Sequence, residues 1–181
     1  MQLKSKYMTK YFQTIFTQRE QFFADTKHVP AWRRPQSDKW SLGETLYHLL
    51  LMMKLFRRVS SWYIPLVYPF ANITKHNSYA TETYNIYEEY QLVKKKAMPA
   101  PSILIPPKGL ENKWMLSVLN MQLETETKKL IHQVVHIDDC IAGHIRYPDP
   151  IAKYPNLIQS IHLLAIHEQH HFDLVKKYER L

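Results

Sequence analysis

The sequence predicts an all-α protein, a four-helix bundle. Three observations point there. Apolar residues recur at intervals of three and four along four long stretches. Proline-rich links separate those stretches. The chain has only 3 glycines and no runs of β-branched residues, so it offers neither the turns nor the strands of a sheet protein. With 181 residues, 45% of them hydrophobic, positions 1–181 are read as a single domain with material for one core.

The first helix is expected over about Ser5 to Asp25, where Met8, Tyr11, Phe12, Ile15, Phe16, Phe22 and Phe23 fall on one side. Pro30 and Pro35 close it. The second carries the clearest start signal in the chain. Ser41 followed by Glu44 spells a capping box, in which the hydroxyl accepts from an early backbone N–H and the carboxylate reaches back to the cap residue's own N–H. This helix is expected to run to about Tyr63 and to stop at Pro65. On a wheel at 100° per residue, His48, Leu49, Met52, Phe56 and Val59 share its apolar stripe. Residues 64–77 read as a connection and Thr83 to Lys95 as a modest helix. Met98-Pro99-Ala100-Pro101 and Pro106-Pro107 read as an extended link. The third long helix is expected from about Glu111 to His136. The last runs from Pro155, in its first turn, to about Tyr178.

Cys140 is the only cysteine, which excludes an internal disulfide and a cysteine zinc cluster and favours a reducing, cytoplasmic setting. Its plain reading is a small core side chain. The basic N-terminus has no apolar stretch behind it, so no signal peptide is expected. The longest apolar run, Leu46 to Met53, is too short for a bilayer. The net charge of +8 raises nucleic acid as a partner, but the lysines and arginines are scattered and no aromatic-basic stripe accompanies them. Neither nucleic acid nor a membrane is expected as a partner.

The informative residues are histidines. His167 and His171 stand one turn apart and flank an apolar stripe, whereas His170 falls with Asp173 and Lys177 on the side expected to face water. Two imidazoles at this spacing can reach one metal ion at about 2.0–2.1 Å each. His48 occupies the corresponding edge of the second helix and supplies a third candidate ligand. The plain alternative is that these are hydrogen-bonded core residues. A rival pair, His132 and His136, shares a wheel side with Trp114 and Val118, and His144 lies close by in sequence. The periodicity does not rank one pair far above the other.

His167-Glu168-Gln169-His170-His171 also spells H-E-x-x-H, the zinc-protease signature, with Glu168 as general base. Such enzymes usually take a third ligand from downstream. Here ten residues follow, and Lys177 stands where the longer motif has its histidine. Glu168 falls inside the apolar stripe, so it needs a partner. That partner is either a ligand histidine, which the carboxylate would orient, or a Lys or Arg of a neighbouring helix.

Lys39-Trp40-Ser41-Leu42-Gly43-Glu44-Thr45-Leu46-Tyr47-His48-Leu49 resembles the opening motif of the DinB-like (YfiT-type) proteins, whose histidine at this place is a metal ligand. His167 to His171 resembles that family's closing H-x-x-x-H. Lys96-Ala97-Met98-Pro99-Ala100-Pro101 with Pro106-Pro107 is similar to the link before its third helix. The likeness spans nearly the whole chain in the right order. It implies a bundle that is often dimeric and a nickel- or zinc-type ion held by His48, His167 and His171. It also implies, for some members, thiol-dependent transferase activity. It lends no support to His132, His136 or His144. The family often has Arg just before its last histidine and Gln three residues after it, where this chain has His170 and Leu174.

The expected function is therefore divalent-metal binding at a three-histidine site. The chemistry would be that of a metal-dependent transferase using a low-molecular-weight thiol, or of a hydrolase. The alternative is a non-catalytic metal-binding module.

Overall fold

The computed structural model describes residues 4–95 and 98–181. Met1 to Leu3, the start of the basic N-terminus, and Lys96-Ala97, the start of the proline-rich link, lie outside the described residues. The described chain is all-helical. Its helices are α1 (Lys6–Thr26), α2 (Leu42–Thr74), α3 (Ile86–Lys94), α4 (Leu116–Val134), α5 (Asp139–Ala142) and α6 (Leu157–Glu179). Short 3-10 turns lie at Ser102–Leu104 and Leu110–Asn112. The described residues form no strand; a single bridge joins Arg146 and Asn156. No described helix is long and apolar enough to cross a membrane.

α1 packs against α6, α2 against α4, and α2 against α6. Met8, Phe12 and Ile15 of α1 share one core with Leu46, Leu49 and Met53 of α2, Leu119 and Leu123 of α4, and Ile161 and Phe172 of α6. Each helix thus buries the stripe that its 3.6-residue period lines up.

Helix starts follow capping chemistry. Ser5 accepts the Met8 N–H at 3.0 Å and donates its own hydroxyl to Asp139, tying α1 to α5. The Ser41–Glu44 box forms as its spacing demands: Ser41 Oγ accepts from Glu44 N at 3.2 Å, and Glu44 Oε2 accepts from Ser41 N at 2.9 Å. α6 starts differently from the expectation. Its cap is Asn156, which forms a second capping box with Gln159, so Pro155 precedes the helix instead of occupying its first turn. The carbonyl of Pro155 accepts the Tyr147 N–H at 2.9 Å.

The largest departure is in α2, which passes Pro65 and continues to Thr74 with Pro65 and Pro69 both inside it. Two interior prolines remove two helical hydrogen bonds, leaving the carbonyls of Ser61 and Pro65 unpaired along the helix. Both prolines and Ser61 lie on the exposed face, where the freed carbonyls are open to solvent. On the opposite face Ile64 and Ala71 are buried and hold the helix down. Tyr63 adds a bond to the Arg146 carbonyl at 2.5 Å, and Ser60 pairs with Tyr147 at 2.7 Å. Tertiary anchoring outweighs the proline penalty.

The third long helix is also shorter than expected. The left-handed Gly109 (φ 76°) leads into the 3-10 turn at Leu110–Asn112, and α4 proper opens only at Leu116. At its other end α4 stops at Val134, leaving His136 beyond it.

Candidate metal centre

His48 reaches the site because the start of α2 is fixed. Arg34 clamps Glu44 through Nε at 2.9 Å and Nη2 at 2.5 Å, so the capping carboxylate is held from both sides. Burial pushes the Glu44 carboxyl up, but the bonds from Arg34 and the Ser41 backbone outweigh it and leave it below the usual range. The ring of Trp32 lies against Gly43, where an added Cβ would stand 2.5 Å from a ring carbon. One turn beyond Glu44, His48 turns inward and is almost fully buried.

α6 is set in rotation by its neighbour. Arg19 of α1 donates to both oxygens of Glu168, at 2.8 and 2.5 Å, and both side chains are buried. Phe172 stacks on Phe22 of α1 at 4.0 Å between centroids. With Glu168 and Phe172 committed to α1, the 100° step of the helix turns His167 and His171 towards α2. Of the two partners open to Glu168, the structure selects the arginine. Committed to Arg19 of α1, the carboxylate does not match the free general base that the zinc-protease pattern of H-E-x-x-H requires.

His48, His167 and His171 converge. Their candidate ligand nitrogens all lie within 4.8 Å of one another. The Nε2 atoms of His48 and His167 are 3.1 Å apart. Two bonds of 2.0–2.1 Å to a shared ion set their nitrogens roughly 2.9–4.2 Å apart, so this pair already fits. His48 Nδ1 lies 2.8 Å from the Leu104 carbonyl oxygen. A carbonyl only accepts, so Nδ1 carries the proton, and in the neutral ring Nε2 presents its lone pair to the site. This is the support that ligand histidines usually receive.

The surroundings keep the imidazoles neutral. Burial drives His167 and His171 well below the ordinary histidine range, and mutual repulsion among the neighbouring histidines adds to it. Burial lowers His48 too, against the opposing pull of the Leu104 carbonyl. Neutral imidazole is the form that binds metal. No carboxylate joins the three, so a bound divalent ion would keep its full charge. The donor set suits nickel, zinc or copper.

The rival histidines do not assemble. His132 and His136 are exposed, and His144 Nδ1 turns back to the Cys140 carbonyl at 2.7 Å. No second group of three ligating side chains forms among the described residues. His170 departs from its expected place in water. It is half-buried, its ring stacked 4.2 Å from that of Tyr87 on α3. Tyr87 also lies 5.8 Å from His167, and Trp40 covers His48 at 4.8 Å and His171 at 6.0 Å. A cleft of ≈ 320 Å³ between α1, α3 and α6 borders the site through Tyr87 and His170. The Leu104 carbonyl and the Tyr87 wall carried no sequence signal, whereas a cationic partner for Glu168 was expected but not which residue would supply it. Trp40 stood inside the quoted opening motif without an assigned role.

No family model, curated protein or solved structure matches this chain. The site is therefore read from its own geometry.

Proposed function

We propose that this chain is a metal-dependent enzyme, a transferase using a low-molecular-weight thiol or a hydrolase, with one nickel or zinc ion held by His48, His167 and His171. The observation that carries the reading is the convergence of three neutral imidazoles from two helices, one of them already oriented by the Leu104 carbonyl. The same reading places the fold with the DinB-like four-helix bundles. It is supported by four long helices around one core, with the candidate ligands on the second and the last of them.

When bound, the ion would act as a Lewis acid and lower the pKa of a thiol or water brought to it. The chain's own residues do the rest. Leu104 fixes the tautomer of His48. Trp40 shields two of the rings, and Tyr87 with His170 forms a wall between the histidines and the neighbouring cleft. That cleft offers a small molecule a route to the edge of the site. Cys140 is not in the converging histidine group.

The test is a panel of electrophiles offered with low-molecular-weight thiols or water to metal-loaded protein, metal-stripped protein and His171→Ala. Turnover confined to the loaded wild type supports the proposal, and equal rates in all three remove the ion from the chemistry. One observation favours the non-catalytic alternative: His48 and His167 are only 2% and 6% exposed, as in a structural clip. Metal-dependent stabilisation without any turnover would select that reading.

A further inference from the structure

The cleft between α1, α3 and α6 carries a chemistry that the metal centre does not explain. Its ≈ 320 Å³ suits a small molecule. Its walls are aromatic at both ends: Tyr11 stacks on His162 at 4.2 Å, and Tyr87 stacks on His170 at 4.2 Å. These histidines occupy positions 162 and 170 of α6, so the two stacks lie about 12 Å apart along the helix. The charges lining the cleft are unevenly partnered. Lys10 is the only lysine or arginine there, and Glu82 takes its Nζ at 3.3 Å. Glu88 and Asp173 line the cleft as well. Glu88 accepts from the Asn85 amide at 2.9 Å and Asp173 from the Gln169 amide at 2.7 Å, each through one oxygen. Neither forms an ion pair among the described residues. Both belong to the end of the cleft that borders the metal centre, since Glu88 follows Tyr87 on α3 and Asp173 lies one turn beyond His170 on α6. The chain as a whole carries +8, yet the unpaired charge here is negative.

We infer that this cleft takes the substrate and that the substrate is a small organic ammonium, held by Glu88 and Asp173 where Tyr87 and His170 meet the metal centre. The word substrate rests on the metal-dependent reaction proposed above; the ammonium site itself needs no ion. The alternatives fit the cleft less well. An anion calls for a free cation, and Lys10 is already engaged. A metal ion calls for a group of three ligating side chains, and none forms here among the described residues. An ammonium meets both features of the cleft. Its N–H donors match the free carboxylate oxygens, and its carbon body lies on aromatic walls whose ring faces attract a cation. Gln18 Oε1, buried without a hydrogen-bond partner, adds an acceptor to the same wall.

The test titrates benzylamine, benzyl alcohol and benzoate, probes of similar size and three different charges, into the full chain stripped of metal, followed by NMR and calorimetry. Benzylamine is expected to bind saturably and to shift the ring resonances of His162 and His170. Benzyl alcohol is expected to bind about tenfold more weakly, and benzoate more weakly still. Glu88→Gln combined with Asp173→Asn, both at exposed positions, is expected to bring benzylamine to the level of the alcohol with unchanged circular dichroism. Glu124→Gln, which removes an exposed carboxylate of α4, should leave all three affinities as they are. Equal affinity for amine and alcohol overturns the inference, as does benzoate binding best or a preference for the amine that survives the double variant. So does the absence of saturable benzylamine binding at millimolar concentration. The stripped protein keeps the two readings apart. A chain that binds benzylamine but takes up no ion refutes the metal proposal alone, and one that takes up the ion but does not distinguish the three probes refutes the ammonium site alone.

Discussion

The Nδ1 atom of His48 and the carbonyl oxygen of Leu104 lie 2.8 Å apart, across 56 positions of chain. The contact joins the second helix to a 3-10 turn in the proline-rich link. It gives that link a task at the site: its backbone decides which nitrogen of His48 faces His167 and His171.

Metal content follows from this arrangement. Purified wild-type protein is expected to hold one divalent ion per chain by elemental analysis. His48→Ala, His167→Ala and His171→Ala are each expected to lose it, whereas His132→Ala and His136→Ala retain it. Full stoichiometry in His48→Ala would rule out the shared site.

Trp40 supplies an optical readout. Its ring lies 4.8 Å from His48 and 6.0 Å from His171. Nickel or copper at the site, with partly filled d shells, is expected to quench indole emission at this range, while d¹⁰ zinc is not. Fluorescence titration of wild-type protein beside Trp40→Phe checks it. The quenched component should vanish in the variant although three tryptophans remain.

The Arg19–Glu168 pair is a stability element. Arg19→Met leaves a carboxylate buried without its partner and is expected to cost about 3–5 kcal/mol in urea unfolding. Arg19→Met combined with Glu168→Leu, which removes both charges, should recover most of that loss. Equal destabilisation in the single and double variants would mean that the pair does not set the packing of α1 on α6.

The start of α2 makes a pH-dependent contribution. The Glu44 carboxyl titrates below its ordinary range when folded, because the bonds from Arg34 and Ser41 outweigh the effect of burial. A depressed carboxyl pKa stabilises the fold above the unfolded value, near ~4.3, and that contribution is lost as pH falls through the folded value. Glu44→Gln is expected to be less stable than wild type at neutral pH, with the gap closing in acid. Ser41→Ala should cost about 1 kcal/mol through the lost cap. Denaturant midpoints across pH measure both.

Gly43→Ala tests the close approach of Trp32. The added methyl would stand 2.5–2.8 Å from three ring carbons, so the indole must shift. Thermal unfolding is expected to show a loss of about 1–3 kcal/mol, the usual range for overpacking.

The sequence by itself determined what is local. Helical period, the Ser41–Glu44 box and the one-turn spacing of His167 and His171 depend on neighbours within a turn or two, and all are legible in the residues. The second capping box, Asn156 with Gln159, was equally local, but Pro155 drew the boundary two residues too early. Other features were decided between elements. Pro65 breaks an isolated helix, yet Ile64, Ala71 and Tyr63 hold this one together from across the interface. His132 and His136 share the one-turn spacing of His167 and His171; the packing of α6 on α1 and α2 turns one pair inward, while on α4, which packs against α2, His132 faces out and His136 falls past the helix end. Periodicity assigns a side chain to a face of its own helix. Which face meets which, and therefore whether three imidazoles share one point, depends on contacts such as Arg19 with Glu168, made across 149 positions of chain.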